Sequence, residues 1–363
     1  VEMTERFRGL QLPKITMVDL QRQYHRKEMY GHLADPVVFR MREELARGKQ
    51  VILFQNRRGY APFLQCPQCG EVPKCPNCDV SMTYHKSNNT LVCHSCGCTQ
   101  SPIVHCPKCG TAWKLRGIGT ERLEEEIHGL FPHARVARMD LDSTRKKDAY
   151  QQIIDRFAQH EVDILIGTQM VTKGHDFPDV TLVGVLLADA SLYVDDFRAA
   201  ERTFAMLTQV IGRAGRADKE GMAIIQTNNP DSEIIRLACA QDYHTFYERE
   251  IKLRRLLTFP PYCDIVLLTL TSSDEKELMI HAVRLREELD RLGSADFCDV
   301  PMLIFGPFEA PVYRVEEKYR MRLVIKCRLN KRSRELFSKI LIRFGKDGAK
   351  SPVLSIDFNP SSL

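Results

Sequence analysis

The apolar positions of this chain keep two rhythms. Over residues 37–47 they recur at helical spacing until Gly48 stops the pattern, and Val51, Ile52, Leu53 and Phe54 follow as a continuous apolar run. Such a run suits a strand covered on both faces, so a helix feeding a parallel strand is predicted. The helical rhythm returns after Gly119-Thr120, where Glu121, Glu124, Glu125 and Glu126 crowd the opening turns and complement the helix dipole. Short apolar runs at 162–167 and 180–187, a helical stretch at 199–211 and a strand at 222–227 complete an α/β pattern with a parallel sheet. A strand-like run at 15–20 lies in a charged lead-in that ends near residue 35. Beyond Pro230 a helix-like stretch reaches Phe259-Pro260-Pro261, a rigid break. Past it the pattern predicts strand 265–271, helix 274–292, strands 302–305 and 320–326, helix 331–344 and strand 353–358. That β-α-β-β-α-β order is the ferredoxin-like one.

Residues 65–110 keep neither rhythm and hold nine of the thirteen cysteines, which marks them as an insertion. The chain is therefore divided into a lead-in and first part of the α/β lobe (1–64), the cysteine-rich insert (65–110), the remainder of the lobe (111–240) and a C-terminal domain (241–363). With 363 residues and 44% apolar content there is material for more than one core. A disulfide scaffold would suit a short secreted domain; this chain is long and its start lacks a charged-then-apolar leader, so metal binding is preferred. No run approaches 18 apolar residues, so a cytoplasmic protein without membrane contact is expected. The net charge of +5 permits nucleic-acid binding without arguing for it. Val1 opens in a charged segment with no initiator Met, which suggests a piece of a longer protein.

The insert carries four Cys-x-x-Cys pairs: Cys66/Cys69, Cys75/Cys78, Cys93/Cys96 and Cys106/Cys109, three of them followed by Gly. In such a knuckle two thiolates grip one face of an ion while the tight turn aims main-chain amides at sulfur. Eight thiolates make two closed tetrahedral sites with no open position for substrate, so two structural zinc ions are expected ahead of catalytic zinc, with an iron-sulfur cluster as the minor alternative. The pairs can be matched in three ways and the spacing does not choose. Nesting is preferred because it closes the insert at its base, with Cys66, Cys69, Cys106 and Cys109 on one ion and Cys75, Cys78, Cys93 and Cys96 on the other. Cys98 falls off the pattern as a spare thiol, and His85, His94 and His105 are assigned no metal. So small an insert should draw much of its folding free energy from the metal.

Three runs outside the insert suggest motor chemistry. Arg57 and Arg58 emerge at the end of the strand at 51–54 and suit a phosphate contact. The run from Gly167 to Pro178 follows a buried strand, where ligands of open α/β sheets bind. There Gly167, Thr168 and Gln169 offer donors to a DNA phosphate, Lys173 adds a point charge, and Asp176 can accept from a ribose hydroxyl. The third run, residues 209–216, ends a helix in Arg213 and Arg216, which share one face and can stabilise charge on a transferring phosphoryl group. Against these stand plainer readings: a solvated turn, a polar loop, and cations placed well at a helix C-terminus.

Together GTQMVTKGHDFP (167–178), QVIGRAGR (209–216), NRRGYAP (56–62) and the eight-cysteine insert resemble the bacterial primosomal replication-restart helicases, the PriA family, over nearly the whole chain. The resemblance implies a RecA-like second helicase lobe with an inserted double zinc knuckle and a C-terminal domain. It implies a DNA-stimulated ATPase that unwinds in the 3′-to-5′ sense and restarts abandoned forks. Forked DNA and single-stranded/duplex junctions would be its substrates, and single-strand DNA-binding protein and other primosome proteins its partners, with the protein expected as a monomer. It carries arginine-finger roles to Arg213 and Arg216, with Gln209 beside them, nucleotide contacts to Gly174 and Asp176, and the nested zinc pairing. ATP and Mg2+ would be bound by the full-length enzyme only. No Gly-x-x-x-x-Gly-Lys-Ser/Thr run occurs here and the only Asp-Glu step is Asp274-Glu275, so this chain alone is not expected to hydrolyse ATP. Asp195 and Asp196, in a further stretch that matches the family, are expected to pack or cap, and Asn359 is left without a role.

In the C-terminal domain residues 314–350 hold thirteen Lys/Arg against four Asp/Glu. Arg320, Arg322, Lys326 and Arg328 alternate along one strand and so line one face, with Tyr313 and Tyr319 available for base stacking, and DNA contact is expected there. The contrasting class is a non-catalytic zinc-ribbon DNA-binding or scaffold protein.

Overall fold

The computed structural model describes residues 13–55, 63–85, 89–93, 95–101, 104–116, 120–140, 143–144, 148–172, 177–194, 196–214, 221–345 and 352–362. It divides into two compact units, Val1–Ala61 with Ile118–Arg249 and Pro62–Gly117 with Glu250–Leu363. The insert thus falls in the same unit as the C-terminal domain.

The first unit is a doubly wound α/β lobe. Its strands are β1 (Lys14–Asp19), β4 (Gln50–Phe54), β10 (Val136–Met139), β11 (Ile164–Gly167), β12 (Val180–Val185) and β13 (Met222–Thr227). A short hairpin, β2 (Met29–Tyr30) with β3 (Leu33–Ala34), stands apart from them. The six strands pair in parallel in the order β1-β13-β12-β4-β11-β10. β4, β11 and β12 are buried at every position, as expected of strands covered on both faces. One face is covered by α2 (Asp35–Ala46) and α3 (Thr120–Leu130) through Val37, Val38, Met41, Leu123 and Ile127. The other is covered by α4 (Ala149–Ala158), α5 (Ala199–Ile211) and α6 (Glu233–Ala240) through Phe157, Phe204, Leu207, Val210 and Ile235. The lead-in strand is a full member of the sheet, followed directly by α1 (Leu20–Arg26). α7 (Tyr243–Leu256) follows α6.

In the second unit β14 (Asp264–Ser272), α8 (Glu275–Ser294), β15 (Leu303–Val315), β16 (Lys318–Cys327), α9 (Lys331–Phe344) and β17 (Val353–Phe358) form an antiparallel sheet of order β15-β16-β14-β17. Both helices lie on one face, where Leu268, Leu285, Leu323 and Phe337 are buried. This is the ferredoxin-like arrangement expected. The difference is β15, which runs ten residues past the predicted end at Phe305 because the strand resumes after Gly306-Pro307 with register shifts. Asn359 also gains a role. Its Oδ1 accepts from Ile265 N (3.0 Å), its own N–H donates to Ile265 O (2.7 Å), and its Nδ2 donates to Asp264 Oδ1 (2.9 Å), tying the end of β17 to the start of β14.

The insert has little apolar interior: β5 (Phe63–Gln65) pairs with β9 (Lys114–Arg116), and β6 (Thr83–His85), β7 (Thr90–Val92) and β8 (Thr99–Gln100) form a small sheet. Among the described residues, Leu64, Met82 and Leu91 are its buried apolar side chains besides cysteine. Such a core cannot order this much backbone unaided, so the thiolate centres must contribute.

Candidate metal centres and sheet edge

The cysteine pairs gather into two tetrads, Cys66, Cys69, Cys106 and Cys109, and Cys75, Cys78, Cys93 and Cys96, with the four sulfurs of each within 4.8 Å of one another. This is the nested pairing. In the first tetrad the Cys66–Cys109 and Cys69–Cys106 sulfurs are 3.3 and 3.6 Å apart, and in the second Cys75–Cys96 are 3.6 Å apart. Four sulfurs around a tetrahedral zinc at about 2.3 Å would be separated by about 3.8 Å, so both cages fit that ion.

Local sequence builds each cage. The N–H of the first cysteine of each knuckle donates to the carbonyl five residues on: Cys66 to Glu71, Cys75 to Val80, Cys93 to Cys98 and Cys106 to Thr111. Gly70, Gly97 and Gly110 follow the second cysteines at φ of +75°, +76° and +73°, a region that favours glycine. Burial pushes the Cys75 thiol up to about 12, whereas hydrogen bonds from Thr111 draw the Cys109 thiol down to about 6. Cys98 belongs to neither tetrad and packs against the apolar cluster, and His105 is likewise outside both. The His85 side chain and His94 lie outside the described residues.

The second constellation sits at the carboxyl edge of the parallel sheet, beside β4, where chain order reverses. Gly167 ends β11, and a Cβ there would stand 1.9 Å from Val171 Cγ2, so glycine lets the turn at Gln169–Thr172 fold back over the strand end. Thr168 is half-buried and donates its N–H to Met139 O (3.4 Å). α5 packs against that turn and ends at Gly212, leaving Gln209 exposed and Arg213 half-buried. The Arg213 charge is felt by the Tyr150 hydroxyl, whose pKa burial raises and that charge lowers, and Tyr150 lies in the first turn of α4. Arg57, Arg58, Lys173, Gly174, Asp176, Arg216 and Asp195 lie outside the described residues, as does the Gln169 side chain. Asp196 is built into the entry to α5, accepting from Arg198 N (2.8 Å) and paired with Arg202 (3.3 Å).

Two acids at this edge escaped sequence reasoning. Asp140, just past β10, accepts from Thr120 Oγ1 (2.5 Å) and Ser143 N (2.8 Å), joining the N-terminus of α3 to the loop after β10. Asp189 accepts from Thr227 Oγ1 (2.9 Å) and Asn228 N (3.1 Å), joining the ends of β12 and β13. The available signal was an acid directly after an apolar run.

On the C-terminal sheet Arg320, Arg322 and Lys326 share the face opposite the helices, with Arg328 just beyond β16. Arg320 donates to Val312 O (3.1 and 2.6 Å), Lys326 to Leu257 O (2.7 Å) and Arg328 to Pro261 O (3.1 Å). Lys326 also lies 3.7 Å over the Phe259 ring, while Arg322 is half-buried. Tyr313 and Tyr319 pack against the helix-side core 5.4 Å apart, and the Tyr313 hydroxyl donates to Glu275 (3.1 Å). This face therefore combines positive charge with main-chain anchoring. None of the described helices is long and apolar enough to cross a membrane.

Three family models match the chain: the PriA DNA helicase Cys-rich region (CRR) domain at residues 75–100, the helicase conserved C-terminal domain at 119–218 and the primosomal protein N C-terminal domain at 255–361. Among curated proteins, the replication restart protein PriA of Bacillus subtilis (strain 168) is 40% identical over 352 residues, 96% of this chain and 43% of that protein. That of Synechocystis sp. is 34% identical over 375 residues, 100% of this chain and 43% of the relative. That of Haemophilus influenzae is 38% identical over 312 residues, 85% and 41% respectively. The chain thus spans less than half the length of these relatives.

Proposed function

The chain belongs to the PriA replication-restart family, and from that premise we propose that it forms the second motor lobe, zinc-bearing insert and C-terminal domain of an ATP-driven DNA helicase. The observation that carries the reading is the sheet edge, where Gly167 ends β11, the turn at Gln169–Thr172 packs against α5, Arg213 follows α5, and chain order reverses. Ligands of open α/β sheets bind at such edges.

In the proposed working protein a second segment holds the nucleotide phosphates and Mg2+, because this chain has no phosphate-binding loop. Arg213 and Arg216 reach across to the terminal phosphoryl group, with Gln209 beside them, and Gly174 and Asp176 take the remaining nucleotide contacts. They stabilise charge that grows in the transition state, and such arginines contribute about 10³- to 10⁵-fold to turnover. Arg57, Arg58, Gly167, Thr168, Gln169 and Lys173 hold the DNA backbone, and the basic face of β16 extends that track. Zinc, when bound, supplies rigidity and no chemistry; the eight cysteines hold it. Translocation is 3′-to-5′, the substrates are forked DNA and single-stranded/duplex junctions, and single-strand DNA-binding protein and primosome proteins dock on a cytoplasmic monomer. The scaffold alternative gains no support from a chain that matches the helicase C-terminal domain family.

The test is assembly. Expressed in one polypeptide with a phosphate-binding lobe, the chain should hydrolyse ATP in a DNA-stimulated manner and displace a strand from a fork. DNA binding and zinc content without any DNA-stimulated hydrolysis would restore the scaffold reading.

A further inference from the structure

Three of the four zinc knuckles are self-contained and one is not. At Cys66/Cys69, Cys93/Cys96 and Cys106/Cys109 the turn closes on itself, the glycine N–H donating to the first cysteine's carbonyl at 3.0, 2.8 and 2.8 Å. The Cys75/Cys78 knuckle has Asp79 in place of glycine. Asp79 N instead donates to Arg314 O (2.9 Å), and two amides come back from the C-terminal domain, Glu317 N to Asn77 O (2.9 Å) and Glu316 N to Cys78 Sγ (3.3 Å). All three bonds go to the tip of the β15–β16 hairpin, and Val315 packs into the apolar cluster under the same cage.

The tip is shaped for this contact at a local cost. Glu316 and Glu317 sit at φ of +51° and +63°, a two-residue turn that Asn-Gly ordinarily fills and that glutamate rarely adopts. Their side chains are exposed and their amides are what the knuckle uses. The sites also differ in cover. Cys69 and Cys109 are exposed in the first, while Cys75, Cys78 and Cys93 are buried in the second and only Cys96 is partly open.

We propose that the β15–β16 hairpin tip is the outer wall of the second zinc site, supplying Cys78 with an amide donor from outside the knuckle. The two sites are therefore unequal. Metal at Cys66/Cys69/Cys106/Cys109 exchanges with solution, whereas metal at Cys75/Cys78/Cys93/Cys96 leaves only when the insert lets go of the C-terminal sheet. Hydrogen bonds to ligating groups orient them and tune their hold on the ion. The inference rests on the zinc sites and is independent of the motor reading.

The experiment is zinc release from the whole chain to a chromogenic chelator, followed in time. Two phases of one zinc each are expected, and Val315→Asp, which drives the tip from the apolar cluster, should speed the slow phase at least tenfold and leave the fast one unchanged. Glu316→Asn with Glu317→Gly keeps both amides and suits the turn, so its slow phase should be no faster than that of the unaltered chain. Hydrogen exchange on the unaltered chain reads the same contact without a variant. The amides of Asp79, Glu316 and Glu317 should stay protected after the fast zinc is gone and lose protection with the second, while β14 remains protected. A single phase for both ions, a slow phase indifferent to Val315→Asp, or equal exchange of these amides in both states would overturn the proposal.

Discussion

Replacing Gln226 with Leu should open the first unit locally, by an amount the hydrogen bonds allow to be worked out. Gln226 is fully buried on β13; its Oε1 accepts from Ala34 N (2.8 Å) and its Nε2 donates to His32 O (3.0 Å) and Leu186 O (3.2 Å). One side chain thereby pins the β2–β3 hairpin and the chain leaving β12. Leucine keeps the volume and strands a buried donor at Ala34, at about 1–3 kcal/mol, with about 1 kcal/mol for each lost bond to a carbonyl. Better burial of leucine returns roughly 1–2 kcal/mol. The net is about 2–3 kcal/mol, or roughly 100-fold in local opening at about 1.4 kcal/mol per decade. Hydrogen exchange by mass spectrometry on peptides covering 29–36 and 222–227 reads this directly, with residues 264–272 as the internal control. Exchange within threefold of the unaltered chain, and an unmoved urea midpoint, would refute the reasoning.

Glu288 on α8 accepts from Arg291 (2.9 and 2.8 Å) and Arg343 of α9, and the Arg291 bond together with both positive charges holds its carboxyl below the usual range. A depressed folded value means the contribution is complete above the unfolded glutamate pKa of about 4.3 and is lost as pH falls through the lower folded value. Glu288→Gln should cost about 1–2 kcal/mol at pH 7, and progressively less as pH falls below the unfolded glutamate value of about 4.3, read as urea midpoints. Elemental analysis should find one zinc in Cys66→Ser, one in the double variant Cys66→Ser/Cys106→Ser and none in Cys66→Ser/Cys93→Ser; two ions lost from the Cys66/Cys106 variant would mean another pairing. Converting Arg320, Arg322, Lys326 and Arg328 to Gln should weaken DNA binding and flatten its salt dependence, by about 0.7–0.9 in logarithmic slope for each phosphate no longer neutralised. An unchanged slope would take this face off the DNA path.

What the sequence made legible was what local physics determines. Continuous apolar runs located β4, β11 and β12, and periodic ones located α5 and α9 to the residue. The Cys-x-x-Cys spacing gave the metal chemistry because two ligands on one tight turn need no distant partner. Distant partners were not legible. Nothing in Glu316-Glu317 announces a hairpin turned against Cys78, and Gly306-Pro307 hid the continuation of β15 by breaking its alternation. The alternating cations of β16 line one face as their spacing implies, yet Arg320 and Lys326 also hold main-chain carbonyls, a use that sequence spacing cannot reveal. Gln50 and Gln226 are polar side chains buried in strands, and each satisfies carbonyls of neighbouring loops, as Gln50 does for Phe157 (2.7 Å) and Val162 (2.8 Å).

The proposed nucleotide pocket is one that this lobe completes together with a phosphate-binding segment. Its most direct measurement is steady-state ATP hydrolysis, with saturating DNA, by a protein that joins the two, comparing Arg213 with Arg213→Ala. Arg213→Ala should lower kcat about 10³-fold or more, with KM for ATP within a few-fold and DNA affinity unchanged. Turnover that survives the substitution would contradict it.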